Sequence, residues 1–320
     1  MTKPEPEPEM INASTATYPK SSLSGWVNGL LGVVIFSGSL PATRIAVIDI
    51  DPLFLTFIRA TIAGVLALTV LAVMKINLPR RSQLLSLIIV SLGVIIGFPL
   101  LTAMALTHIT SAHSLVFTGL LPLSTAVFGV IRGGERPQMP FWIFSIAGSL
   151  LVAGFALGGQ TALSAQGDLL MLAAIVACGL GYAEGARLSR VLGGWQVISW
   201  ALVISLPFMM VASCYMLPEN LSHIRLPAWL ALGYVSLFSM FLGFIFWYKG
   251  LVIGGIAAVG QLQLLQPFIG MCFAVLILHE NITPVMGLVT VGVILCVMGS
   301  RKYAHSRIAV HAVKAGINNE

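Results

Sequence analysis

Charge is in short supply. Asp, Glu, Lys and Arg together make up 9% of the 320 residues, against 58% hydrophobic residues. A water-facing surface needs roughly 25% charged residues, so a soluble domain is excluded and most of the surface must face lipid. A mean hydropathy of +0.97 agrees. Cysteine is scarce too: Cys178, Cys214, Cys272 and Cys296 each lie inside an apolar run, with no CxxC spacing. Disulfide and metal roles are therefore set aside in favour of plain packing. HExxH, GxSxG and the GxxxxGK[ST] phosphate loop are all missing. Neither an enzyme nor a bound cofactor is expected, and any uphill transport must draw on a gradient instead of ATP. The net charge of +6 does not imply nucleic acid, because the basic residues sit between apolar runs and form no single patch.

What is abundant is long uncharged runs. A spanning helix needs ~20 mostly apolar residues, and ten such segments nearly exhaust the chain. They are Gly25–Thr43, Pro52–Met74, Gln83–Leu106, Ser111–Ile131, Met139–Leu157, Leu169–Ala186, Trp195–Leu217, Pro227–Tyr248, Gly250–Leu278 and Pro284–Gly299. Residues 1–22 are Pro/Glu-rich and predict a disordered cytoplasmic tail. Residues 301–320 form a basic cytoplasmic tail. Placing both termini inside puts most Lys and Arg in the inner loops, leaving Arg44 and Arg225 outside and Arg59 within a helix. The expected location is the inner (cytoplasmic) membrane of a cell.

The chain repeats itself. At one constant offset Leu106 meets Leu251, Ala112 meets Ala257, Pro122 meets Pro267 and Glu135 meets Glu280. After a one-residue slip Pro140 meets Pro284 and Gly148 meets Gly292. The predicted fold is an all-α integral membrane protein of ten transmembrane helices, arranged as two inverted five-helix repeats, residues 23–160 and 161–300. Five spans per half is an odd number, so the halves enter the bilayer from opposite sides. Such inversion is common in secondary transporters, where one repeat rocks against another around a central site.

Several segments resemble a known family: Ile35–Arg44, Pro52–Gly64 with Arg59, Leu120–Glu135, Gly243–Leu251 and Leu264–Glu280. In their order and spacing they resemble the EamA type of the drug/metabolite transporter superfamily. That resemblance implies a ten-helix fold with a central cavity lined by helices 1, 3, 4, 6, 8 and 9, and a secondary transporter, mostly of the exporting kind, for amino acids, other metabolites or toxic compounds. The second half carries Trp200 roughly where Arg59 would recur, so a symmetric role for that arginine is not implied.

Polar groups within the spans are the candidate site. Arg59 reads as an anion-attracting group, a gate partner or a snorkelling structural arginine. Glu184 stands one turn before Arg187 and pairs with it or carries a coupling proton. Glu135 and Glu280 close their helices and suit loop structure or surface gating. Gln263 and Gln266 share a face ahead of Pro267, and His113, Phe117 and Thr118 occupy the repeat-related face ahead of Pro122. Phe98, Tyr182, Tyr234 and Trp247 could clasp a ring or an aliphatic chain, or simply pack. The Gly25/Gly29, Gly93/Gly97, Gly129/Gly133 and Gly181/Gly185 pairs read as close-packing helix faces.

The function expected is export of small metabolites such as amino acids by alternating access. An uncoupled facilitator and a non-transport receptor or scaffold are the alternatives. The partners expected are a small-molecule substrate and the lipid bilayer, with protons a candidate coupling ion and no nucleic acid; monomer and homodimer both stay open.

Overall fold

A computed structural model describes residues 23–105, 108, 117–157, 164–266, 268–270, 272–273 and 284–304. They form helices, with no strand among the described residues. In chain order these are α1 (Leu23–Thr43), α2 (Pro52–Val73), α3 (Arg81–Ala105), α4 (Leu121–Gly133), α5 (Met139–Leu157), α6 (Ala165–Leu192), α7 (Gly194–Tyr215), α8 (Leu226–Gly254), α9 (Ile256–Gly270) and α10 (Pro284–Tyr303). Six of them (α1, α2, α3, α6, α7 and α8) are long and apolar enough to cross a membrane by length and composition alone. Val65, Leu68, Leu92, Val176, Val211 and Leu230 are exposed along their outer faces. Apolar exposure on that scale suits lipid and not water.

The two halves adopt the same plan. α1 lies along α8 and α3 along α6, which are repeat-related pairings, while α2 packs on α7 and α5 on α10, each helix on its own counterpart. The third helix of each half widens to π geometry, at Ser91–Gly97 in α3 and Val235–Leu242 in α8. The protein is thus an all-α membrane protein of two inverted five-helix repeats. Glycines set the α1–α8 and α3–α6 crossings. A methyl group built on Gly25 would stand 2.7 Å from the Gly254 backbone nitrogen, and one on Gly250 would stand 2.5 Å from that of Gly29. At the equivalent α3–α6 crossing, one on Gly93 would lie 2.9 Å from the Cα of Gly181. Backbones in such contact leave no room for a side chain.

Two boundaries differ from expectation. The break between the eighth and ninth spans falls at Gly255, not at Lys249, which is exposed on a helix that continues to Gly254. Gly255 holds φ +91°, a conformation that disfavours any residue with a Cβ. The sixth span is also longer, running to Leu192 past both Glu184 and Arg187.

Threading is legible from the contacts at the ends. Gly25 at the start of α1 meets Gly254 at the end of α8. The Gln138 amide before α5 donates to the Tyr303 carbonyl at the end of α10, and Arg301 lies over Trp26, 4.7 Å from its ring centroid. One face, here the terminal face, therefore gathers the start of α1 with the ends of α8 and α10. The opposite, far face holds the α1–α2 and α7–α8 connections together. There Arg225 grips Asp49 with Nη2 to Oδ1 at 2.9 Å, Nε to Oδ2 at 3.0 Å and its own backbone amide to Oδ2 at 3.1 Å. Asp51 next door caps α2, accepting from the Leu53 and Phe54 amides at 2.9 and 3.0 Å, with Pro52 at the first helical position.

Hydrogen bonds from Arg225 hold the Asp49 carboxyl below the ordinary carboxylate range. A depressed pKa means that the stabilisation is present above the unfolded-state value and is lost as pH falls through the folded-state value. The melting-temperature difference between the native protein and Asp49→Asn is therefore expected to hold steady from about pH 5 upward and to shrink below about pH 4. A difference that grows on acidification would refute the pairing.

Candidate functional site: a polar clasp and a core of unpaired amides

The turn Gly133-Gly134-Glu135 ends α4 in a defined way. Gly134 takes the left-handed conformation, φ +68°, and the Glu135 amide returns to the Gly129 carbonyl at 3.2 Å. The left-handed turn that glycine permits ends the helix there. It aims the Glu135 carboxylate across the molecule at α9. The residue that should cap α9 is Gly255, which has no side chain to do so. Glu135 supplies the missing acceptor: its Oε1 takes the Ile256 amide and its Oε2 the Ala257 amide, both at 2.6 Å. Ile256 and Ala257 are fully buried, so these amides have no water to turn to. A carboxylate at a helix N-terminus also meets the positive end of the dipole. Arg190 stands 3.9 Å from Oε1.

A second acid braces the same face. Glu184 is fully buried, takes Arg132 Nε at 2.8 Å and Arg187 Nη2 at 2.5 Å, and Arg187 also donates to Ser86 Oγ at 3.1 Å. The pair expected from the i,i+3 spacing forms, with Arg132 of α4 and Ser86 of α3 as further members. Glu184 thus joins α3, α4 and α6, whereas Glu135 joins α4 to its repeat counterpart α9.

Between the faces lie polar groups with no partner. Both amide atoms of Gln261 and the Nε2 of Gln263 are buried and unsatisfied. Gln263 Oε1 accepts only a long 3.4 Å contact from Thr125 Oγ1. Such groups cost roughly 1–3 kcal/mol each when left unmade. Along α9, 256–264 and Phe268 are buried, while Leu265, Gln266, Ile269 and Gly270 are partly accessible. The Nε1 atoms of Trp26 and Trp247 are also unpaired.

The aromatic candidates separate. Tyr182 and Trp247 come together with ring centroids 5.5 Å apart, joined by Phe36 and Phe244, within a buried cluster. Tyr234 is elsewhere: its hydroxyl donates to the Ile35 carbonyl at 2.7 Å, where α1 breaks at Gly38, and its ring stacks on Phe238. Phe98 and Phe117 are partly buried against the core, and Thr118 is buried. Gln263 is buried and Gln266 partly accessible, although the 3-10 turn Gln261–Leu265 brings residues three apart into line. His113, Pro267 and Glu280 lie outside the described residues. Gln261 escaped the sequence reading, although the signal that found Gln263, an amide in an uncharged run, applies equally to it.

Comparison with known proteins agrees with this architecture. The EamA-like transporter family matches residues 23–157 and again 165–301. A protein of Bacillus subtilis (strain 168) named "Uncharacterized transporter YdeK" is 63% identical over 281 residues, covering 88% of this chain and 98% of that protein. A second from the same organism, "Uncharacterized transporter YyaM", is 24% identical over 225 residues, covering 68% and 72%. A solved crystal structure with 18% identity superposes with a TM-score of 0.69 over 88% of this chain and 98% of that one, which shows a shared fold. The chain belongs to the EamA-like transporter family.

Proposed function

We propose that the protein is a secondary exporter of small amphipathic metabolites, amino acids among them, working by alternating access from the cytoplasmic side. The observation that carries this reading is the set of buried, unpaired amides of Gln261 and Gln263 on α9, just beyond the Glu135 clasp that closes the terminal face. A static scaffold gains nothing from unsatisfied buried polar atoms, whereas a carrier fills them with cargo. The clustering of Arg132, Arg187, Arg190 and Arg301 at the terminal face supports a cytoplasmic assignment for it.

Counterflow of radiolabelled metabolites in proteoliposomes tests the reading, and no flux across a broad panel overturns it. Gln263→Leu is expected to lower exchange by roughly tenfold, the loss of one or two hydrogen bonds to cargo, with unchanged expression and melting. Undiminished kinetics would remove that amide from the route. Collapse of uptake into inverted vesicles on adding a protonophore would separate proton coupling from facilitation.

A further inference from the structure

Arg59 is seven residues into α2 from Pro52, so at 1.5 Å per residue it lies about 10 Å below the far-face end of that helix. The residue is partly accessible. Its Nε is buried and has no hydrogen-bond partner. No carboxylate pairs with it among the described residues, whose ion pairs involve other arginines. A fully snorkelled arginine would bring Nε to water as well, and here that nitrogen stays buried.

Among the described residues its surroundings offer no counter-charge. α2 packs on α7, on the π-helical stretch of α8 and on the Phe98–Ala105 half of α3, and none of the three helices contains an Asp or Glu. Their hydroxyls near α2 are mostly engaged elsewhere, Ser213 with Thr61 and Ser239 with Ser39. The exception is Thr102 of α3, whose Oγ1 is likewise buried and unpaired. A guanidinium kept in a membrane span without a partner is costly, and a carrier recovers that cost when the partner arrives with the cargo. Planar carboxylates match its fork of donors.

We propose that Arg59 docks the anionic group of the cargo, which makes the substrate class small carboxylates, zwitterionic amino acids included. This deepens the export reading and rests on it. The test uses the full-length protein in proteoliposomes, with counterflow of a labelled panel of amino acids, other small carboxylates, and neutral and cationic metabolites. For each compound transported, unlabelled competitors are added in pairs that differ only in carrying a carboxylate or its primary amide. Carboxylates are expected to be transported and to compete roughly thirtyfold better than their amides, Arg59→Gln to slow flux by a similar factor, and Arg59→Lys to retain part of it. Equal competition by amides, or Arg59→Gln flux within about twofold of native, overturns the assignment and leaves transport standing. Flux confined to neutral or cationic compounds does the same. Absence of flux for every compound overturns transport itself. Should Arg59→Gln not fold, the amide comparison on the native protein decides.

Discussion

Gly250→Val is expected to be the most damaging single substitution in the inter-repeat contact, lowering the melting temperature by about 10 °C or preventing recovery of a monodisperse protein altogether. The first atom of any side chain there would stand 2.5 Å from the Gly29 nitrogen, 2.7 Å from its Cα and 3.1 Å from the Gly25 oxygen. All three are backbone atoms of α1, so no rotamer change can relieve the clash; α1 and α8 must part. Overpacking a yielding core costs about 1–3 kcal/mol, and an unyielding backbone contact belongs at or above the upper end. Gly233→Ala in the same helix is the control, because nothing lies within 4 Å of its added Cβ. Alanine is favoured over glycine in a helix by about 1 kcal/mol, so Gly233→Ala should be neutral or slightly stabilising. Equal melting of the two variants would mean that the α1–α8 crossing is not a load on stability.

The same crossing shows how far a sequence can be followed. Gly25/Gly29 is visible as a small-residue pair because its spacing is local, and the run lengths alone give ten spans. Which helix those glycines meet is not local. Nor is the junction at Gly255 visible, since Lys249 looks like a loop signal when only hydropathy is considered, while a lysine on an exposed helix face is easily tolerated. The site divides along the same line. Glu184 with Arg187 is readable from helical geometry, but Arg132, from 52 residues away, is not. For Glu135 the repeat shows that an acid stands at the end of α4. It does not show that the acceptor's partners are two backbone amides at the start of α9, because amides carry no sequence signature. Tyr234 as a cargo-clasping ring and Tyr234 as a tie to the Ile35 carbonyl look identical in sequence; only the break in α1 distinguishes them.

Those two amides make the second large prediction. Removing the carboxylate with Glu135→Ala leaves the Ile256 and Ala257 N–H groups buried and unmet, at a cost of about 2–4 kcal/mol. That penalty applies only while α9 sits against α4 with the terminal face closed; once the two helices separate, water can satisfy the amides. The variant is therefore expected to open at the terminal face and not simply to unfold. A cysteine at Thr125, buried on α4 beside Gln263, reports that opening in a background where the exposed Cys214 and Cys272 are replaced by serine. Its alkylation by a thiol reagent added at the terminal face should accelerate by on the order of tenfold or more, and exchange should slow by a comparable factor, since one half of the cycle is now disfavoured. Glu135→Gln keeps one acceptor oxygen and should fall between. Glu184→Gln, which weakens a brace among α3, α4 and α6 without touching α9, should lower the melting temperature with far less effect on alkylation. Unchanged reporter access in Glu135→Ala would reduce the clasp to a helix cap and detach it from gating.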